Sequence, residues 1–200
     1  MASTPGTVDE IADRVFNAGL GMMETLSIHL GDRLGWYRAL AERGPLTASA
    51  LAEATGTDER YAREWLEQQA VSGLLLAHAA PGDDAAGRTF SISDAAAEVL
   101  TDERSLSYLA PLARAVTAAA ARMPELLAAY RTGGGVGWAA YGDDMREAQS
   151  DMNRPWFEGR LATALRSVPA LAAKLDRDGV RIAEVGFGGG WASIALARAL

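Results

Sequence analysis

Two hundred residues with 49% hydrophobic side chains provide for one or two domains with a real core. With 26 acidic against 19 basic residues, the net charge of −7 opposes non-specific binding to nucleic acid or to an anionic membrane. The absence of cysteine excludes a disulfide framework and any thiolate metal site.

The first ten residues, MASTPGTVDE, have no basic region followed by an apolar core. No run of about 18 uninterrupted apolar residues occurs anywhere in the chain. The expectation is a soluble, cytoplasmic protein without membrane or nucleic-acid partners. From about Val8 to Arg43, apolar residues recur at three- and four-residue steps: Ile11, Val15, Met22, Met23, Leu26, Leu30, Leu34 and Leu40. This predicts helix, with Gly19, Gly21, Gly31 and Gly35 breaking it into pieces. The segments are more apolar than one small domain needs, so they serve either an internal core or a subunit interface. The interface is the favoured reading.

Gly44-Pro45 closes that run. Thr47 is placed to cap a short helix over 48–54 that Gly56 stops, and Thr57 or Asp58 to cap the next, from Glu59 to about Ser72. Two extended runs follow, Leu74-Leu75-Leu76 and Thr89 to Ser93, separated by the turn-forming loop 81–87. Asp94 is positioned to cap another short helix. Three helices and a hairpin in this order predict a winged helix. The helix that would read DNA, DERYAREWLEQQ (58–69), has four acids against two arginines and no lysine. Its Tyr61, Ala62, Trp65, Leu66 and Ala70 read as core packing, and the loop carries Asp83 and Asp84. Electrostatics argues against a DNA-binding role.

Residues 105–131 are helical in pattern with a break at Met123-Pro124. TGGGVG (132–137) is a flexible link, and a second helical run covers about 143–168, interrupted near Pro155. Asp143, Glu147 and Asp151 share one helix face, a solvated carboxylate cluster rather than a supported metal site. His29 and His78 are the only histidines, with no other expected ligand nearby, and no G-x-S-x-G occurs. No catalytic residue is named, and no metal is expected.

The last twenty residues, RIAEVGFGGGWASIALARAL, predict a strand over 180–185, a glycine turn and a helix from about Trp191. A dinucleotide fingerprint needs a sixth-position glycine, where Trp191 stands, and a P-loop needs a Gly-Lys-Ser/Thr that is absent. What fits is acid-x-Gly-x-Gly-x-Gly: Glu184, Gly186, Gly188 and Gly190.

That last motif resembles motif I of class I S-adenosylmethionine-dependent methyltransferases. With HLGDRLGWYRAL (29–40) and GPLTASALAEATGTDERYAREWLEQQAVSGLL (44–75), in that order, the chain resembles the bacterial members bearing an N-terminal winged-helix domain, including small-molecule methyltransferases. The resemblance implies a mainly α N-terminal module with a winged helix, followed by the first βα unit of an α/β Rossmann-like domain. It divides the chain into a dimerisation domain (1–100), a helical linker and substrate roof (101–170) and the start of the methyltransferase domain (171–200). It also implies S-adenosyl-L-methionine as cofactor, held by Glu184, Gly186, Phe187, Gly188, Gly189 and Gly190, with Glu184 toward the ammonium and helix-start amides toward the carboxylate. Phe187 departs from the small residue or cysteine usual there. Trp138, Tyr141, Met152, Trp156 and Phe157 become candidates for contact with an apolar or aromatic small-molecule substrate. The acid for the ribose hydroxyls is expected beyond Leu200. The reaction implied is transfer of the sulfonium methyl group, aided by alignment and exclusion of water.

At roughly 30 residues per βα unit, the remaining strands require on the order of 150 further residues. The expectation is therefore a chain truncated just after motif I and inactive by itself. Two other classes stay open: a winged-helix transcription regulator, and a non-catalytic dimerisation subunit.

Overall fold

The structure, a computed structural model, describes residues 6–78 and 87–200. The chain divides into two compact units, Met1–Ser91 and Ile92–Leu200.

In the first unit, α1 (Val8–Arg33) opens with a capping box. The Thr7 hydroxyl accepts from the Glu10 amide, and the Glu10 carboxylate accepts from the Thr7 amide at 2.7 Å. Contrary to the expected break-up, α1 runs unbroken through Gly19, Gly21 and Gly31 and ends only before Gly35, which at φ 72° leads into α2 (Trp36–Arg43). A single helical glycine costs about 1 kcal/mol, too little to end a long helix. Gly31 has a packing reason: a Cβ there would lie 2.3 Å from the Trp65 ring and 2.6 Å from that of Tyr37.

The next caps follow the sequence closely. Thr47 caps α3 (Ala48–Thr55), which ends at the left-handed Gly56, and Asp58 caps α4 (Glu59–Val71). Strands β1 (Leu76–His78) and β2 (Thr89–Ser91) pair antiparallel with Ala77 opposite Phe90, and Leu46 bridges to Phe90. The loop with Asp83 and Asp84 lies outside the described residues.

Tyr37, Leu40, Leu51, Leu66 and Phe90 are fully buried at the centre of this unit. The Trp65 ring sits 4.8 Å from Trp36 and 5.0 Å from Tyr37, centroid to centroid. The buried side-chain amide of Gln69 is satisfied: its carbonyl accepts from the Tyr37 hydroxyl and its amide donates to Ser27 Oγ at 3.1 Å. Burial pushes the Tyr37 phenol well up, and the Asp32 and Glu24 carboxylates add to the shift. Tyr61 departs from expectation. It is exposed on α4 rather than packed in the core, because the buried stripe of this helix is Ala62, Trp65, Leu66 and Gln69.

In the second unit, Ser93 rather than Asp94 caps α5 (Asp94–Thr101); the Ser93 hydroxyl accepts from the Ala96 amide at 3.2 Å, and Asp94 is the first helical residue. The helix expected from 105 begins later, as α6 (Ala110–Ala120). Asp102 and Ser105 side chains draw the Arg104 and Ser107 amides into turns instead. The break before α7 (Met123–Thr132) falls where expected, with Pro124 in the first turn. After Gly133 and an irregular link comes a 3₁₀ turn, Trp138–Tyr141, and then α8 (Gly142–Trp156).

The helix α8 packs on α6. Between them the buried Arg114 donates to Asp151 at 2.8 Å, with Glu147 at 3.9 Å. Asp143 pairs with Arg146. The carboxylate face is thus engaged by arginines, and no group of side chains suited to a metal ion occurs among the described residues. The interruption near Pro155 takes the form of a π-helical segment, Phe157–Leu161, after which α9 (Ala162–Arg166) and α10 (Pro169–Leu175) follow. A proline amide cannot join the helical ladder, and a π turn is one way to continue past it.

The predicted strand over 180–185 is not formed. Residues 180–184 are irregular, and the sheet among the described residues is the two-stranded β1-β2 hairpin. A parallel strand needs a neighbour for its amides and carbonyls, and residues 180–185 have none here. The predicted helix does form, as α11 (Trp191–Ala199).

Candidate functional site

The acid–glycine segment has the turn its composition predicts. Gly186, Gly188 and Gly190 take φ of 71°, 52° and 77°, a region side chains rarely adopt, and an added Cβ at any of the three would meet nothing within 4 Å. Their open sides face space rather than protein. Gly189 is different: a Cβ there would strike Ser150 of α8, 1.8 Å from its hydroxyl and 2.8 Å from its Cβ. Glycine is required at Gly189 by close approach and at the other three by conformation. The loop closes with the Gly190 amide donating to the Phe187 carbonyl at 2.8 Å, and Gly190 is the N-cap of α11. Glu184 precedes this turn half-buried, accepting from Ser193 Oγ at 2.5 Å in the first turn of α11. The acid is tied to the start of the helix, where the backbone dipole favours it.

A cleft of about 730 Å³ opens beside the loop. Glu184, Gly186, Phe187, Gly188 and Gly189 line it, together with Trp138 and Phe157. Of the remaining sequence-derived candidates, Tyr141 and Trp156 do not line the cleft, though their rings lie near residues that do. The Tyr141 ring is 6.1 Å from Trp138, and Trp156 meets Phe157 edge-on at 5.7 Å. Met152 and Gly190 lie off the wall as well.

Several residues of the cleft were not anticipated. Arg146, Ser150, Asn153 and Phe157 succeed one another at helical spacing along α8 and its π continuation, and Gln149 lines the same wall. Their spacing was available in the sequence; what it lacked was a reason to prefer that face. Trp191 lines the cleft too, with the Arg154 guanidinium 4.1 Å above its ring centroid. Arg154 also donates to Glu103 at 2.6 Å and to Glu158 at 3.0 Å. Burial acts to lower the Arg154 pKa, but hydrogen bonding and charge from Glu158, then Glu103, raise it above the ordinary arginine value.

The helix order and the capped α4 with its hairpin make the first unit a winged helix, and the second unit ends in an acid–glycine turn that opens a helix beside a cleft. This fold is shared with part of solved methyltransferase structures. Residues 22–102 match the Rv2258c-like winged HTH domain family. The whole chain is similar to the solved structure of the mitomycin 7-O-methyltransferase MmcR, with a TM-score of 0.56 and 26% sequence identity, over 96% of this chain and 56% of that one. Human N-acetylserotonin methyltransferase, solved in complex with S-adenosylmethionine, shares the fold at a TM-score of 0.54 and 17% identity, over 88% of this chain and 50% of that one. The chain thus spans about half the length of these structures. No curated protein sequence matches it. Among the described residues, no helix is long and apolar enough to cross a membrane.

Proposed function

We propose that this chain supplies the winged-helix module, the substrate roof and the first cofactor-binding loop of an S-adenosyl-L-methionine-dependent methyltransferase acting on a small molecule in the cytoplasm. The observation that carries this reading is that the acid–glycine loop and the aromatic side chains Trp138 and Phe157 line one cleft.

The residues present fit the cofactor. Three left-handed glycines expose backbone where a side chain would block it, and a carboxylate stands at the helix start for an ammonium group. When bound, S-adenosyl-L-methionine supplies a methyl group on a sulfonium. Glu184 and the amides of the turn from Gly186 to Gly189 would hold its amino-acid end. Trp138, Phe157 and Phe187 cover the cleft, exclude water and offer flat apolar faces to the acceptor, for which an aromatic small molecule is the best match.

The same reading includes a homodimer through the N-terminal helix. Val8, Ile11, Val15, Phe16, Leu20 and Met23 leave α1 with an exposed apolar stripe of the kind that associates. Calorimetric titration of S-adenosyl-L-methionine into the protein made from its native gene tests the cofactor. Saturable binding that Glu184→Gln weakens about tenfold is expected, and no heat of binding would refute the reading. Sedimentation equilibrium tests the dimer: a monomer at all concentrations would remove it.

A further inference from the structure

A large indole at the start of α11 breaks the dinucleotide pattern, and nothing in the cofactor reading requires it. Its surroundings give it a purpose. Trp191 is the first residue of α11, directly after the Gly190 cap, so its position sets that of the glycine turn. One of its faces lies under the Arg154 guanidinium at 4.1 Å. Arg154 in turn is held from two sides: Glu103, in the segment after α5, at 2.6 Å, and Glu158, in the π segment, at 3.0 Å. Glu158 also accepts from Arg198 of α11 at 3.0 Å. The Arg154 and Glu158 side chains are 20% and 19% exposed, so their attraction is only partly screened. One turn earlier on α8, Ser150 fills the space against Gly189. Two successive turns of α8 therefore grip two alternate residues of the loop.

We propose that Arg154 is a positioning residue for the glycine loop: stacked on Trp191 and braced by Glu103 and Glu158, it preforms the Gly186–Gly190 turn for its ligand. The inference rests on the cofactor reading for the identity of that ligand, but not for the rigidity of the turn. A guanidinium suits this place because it is flat enough to stack while its edge donates to two carboxylates. An ammonium keeps the charge and loses the stack. Arg154 touches no cleft ligand in this role; it acts through Trp191.

The test uses Arg154→Gln, Arg154→Lys, Trp191→Leu, the double variant Arg154→Gln/Trp191→Leu, and the milder Glu103→Gln, with circular dichroism to check that each folds. The first readout is amide hydrogen exchange at Phe187 to Ile194 without ligand. The second is the Kd for S-adenosylhomocysteine. Arg154→Gln and Trp191→Leu should each speed exchange at the Gly190 amide and weaken the ligand by about tenfold, with the double variant little worse than either. Arg154→Lys should recover only part of the loss, and Glu103→Gln should fall between it and the parent protein. Unchanged exchange in a folded Arg154→Gln, additive losses in the double variant, or full rescue by lysine would each overturn the proposal. Should the parent protein fail to bind S-adenosylhomocysteine, the cofactor reading falls, while the exchange readout still decides whether Arg154 orders the turn. If a variant does not fold, Glu103→Gln carries the decision: faster exchange at the Gly190 amide supports the proposal, and unchanged exchange there overturns it.

Discussion

The winged-helix unit and the glycine loop are held in shape by opposite means. Around Tyr37, Leu51, Trp65, Leu66 and Phe90, apolar burial and interlocking rings fix the fold, and even the buried Gln69 amide has its partners. The loop has almost no such burial: Val185 is 99% exposed and Phe187 66%. Its form comes from three glycines in a left-handed conformation, one close approach to Ser150, the Glu184–Ser193 hydrogen bond and the Arg154–Trp191 stack. The first design yields stability, and the second yields an exposed backbone surface at little cost in bulk. Substitutions should therefore separate the two regions cleanly.

The largest effect belongs to the core. Leu66→Ala, at a fully buried site, should lower the unfolding free energy of the first unit by about 3 kcal/mol in urea denaturation, without a direct effect on ligand affinity. Gly31→Ala should follow at about 2 kcal/mol, since the added methyl must displace the Trp65 and Tyr37 rings. A tolerated alanine there would show that the rings are loosely packed. In the loop, Gly188→Ala should cost only about 1 kcal/mol in stability, yet abolish detectable binding of S-adenosyl-L-methionine in the same calorimetric titration. Equal damage to both readouts would erase the contrast between the regions.

The smallest effect near neutrality concerns Tyr37. Its phenol titrates higher when folded than the ordinary value of 10.0, so the neutral form is the one the fold favours. The stability this confers is complete below pH 10 and is lost as the pH rises from there through the folded-state pKa. Tyr37→Phe should flatten that alkaline decline, as followed by the urea midpoint between pH 8 and 11 (about the accessible range for reversible unfolding).

Several features governed by near neighbours were legible in the sequence, although the cap at Ser93 was misassigned to Asp94. Thr47, Asp58 and Pro124 act on their own first turns, and the structure uses each as read. Features governed by distant partners were not. Gly31 looks like a helix breaker until Trp65, thirty-odd residues on, is found against it. Tyr61 looks like core because four of its helical neighbours are apolar or aromatic, but the stripe that faces inward runs through Gln69 instead. The strand expected at 180–185 depends on pairing that an isolated segment cannot supply by itself. The acid–glycine loop could be read because its chemistry is contained in seven residues. That Trp138, Ser150 and Phe157 would line one cleft with it, and that Arg154 would stack on Trp191, required the fold.

The most direct test of the cofactor site is an amide NMR titration of S-adenosyl-L-methionine into the protein as its native gene produces it. Shifts concentrated at Glu184 to Trp191, extending to Trp138 and Phe157, with residues 36–66 unmoved, are the predicted result. Saturating ligand that leaves the glycine amides unshifted, or that moves α1 instead, would contradict it.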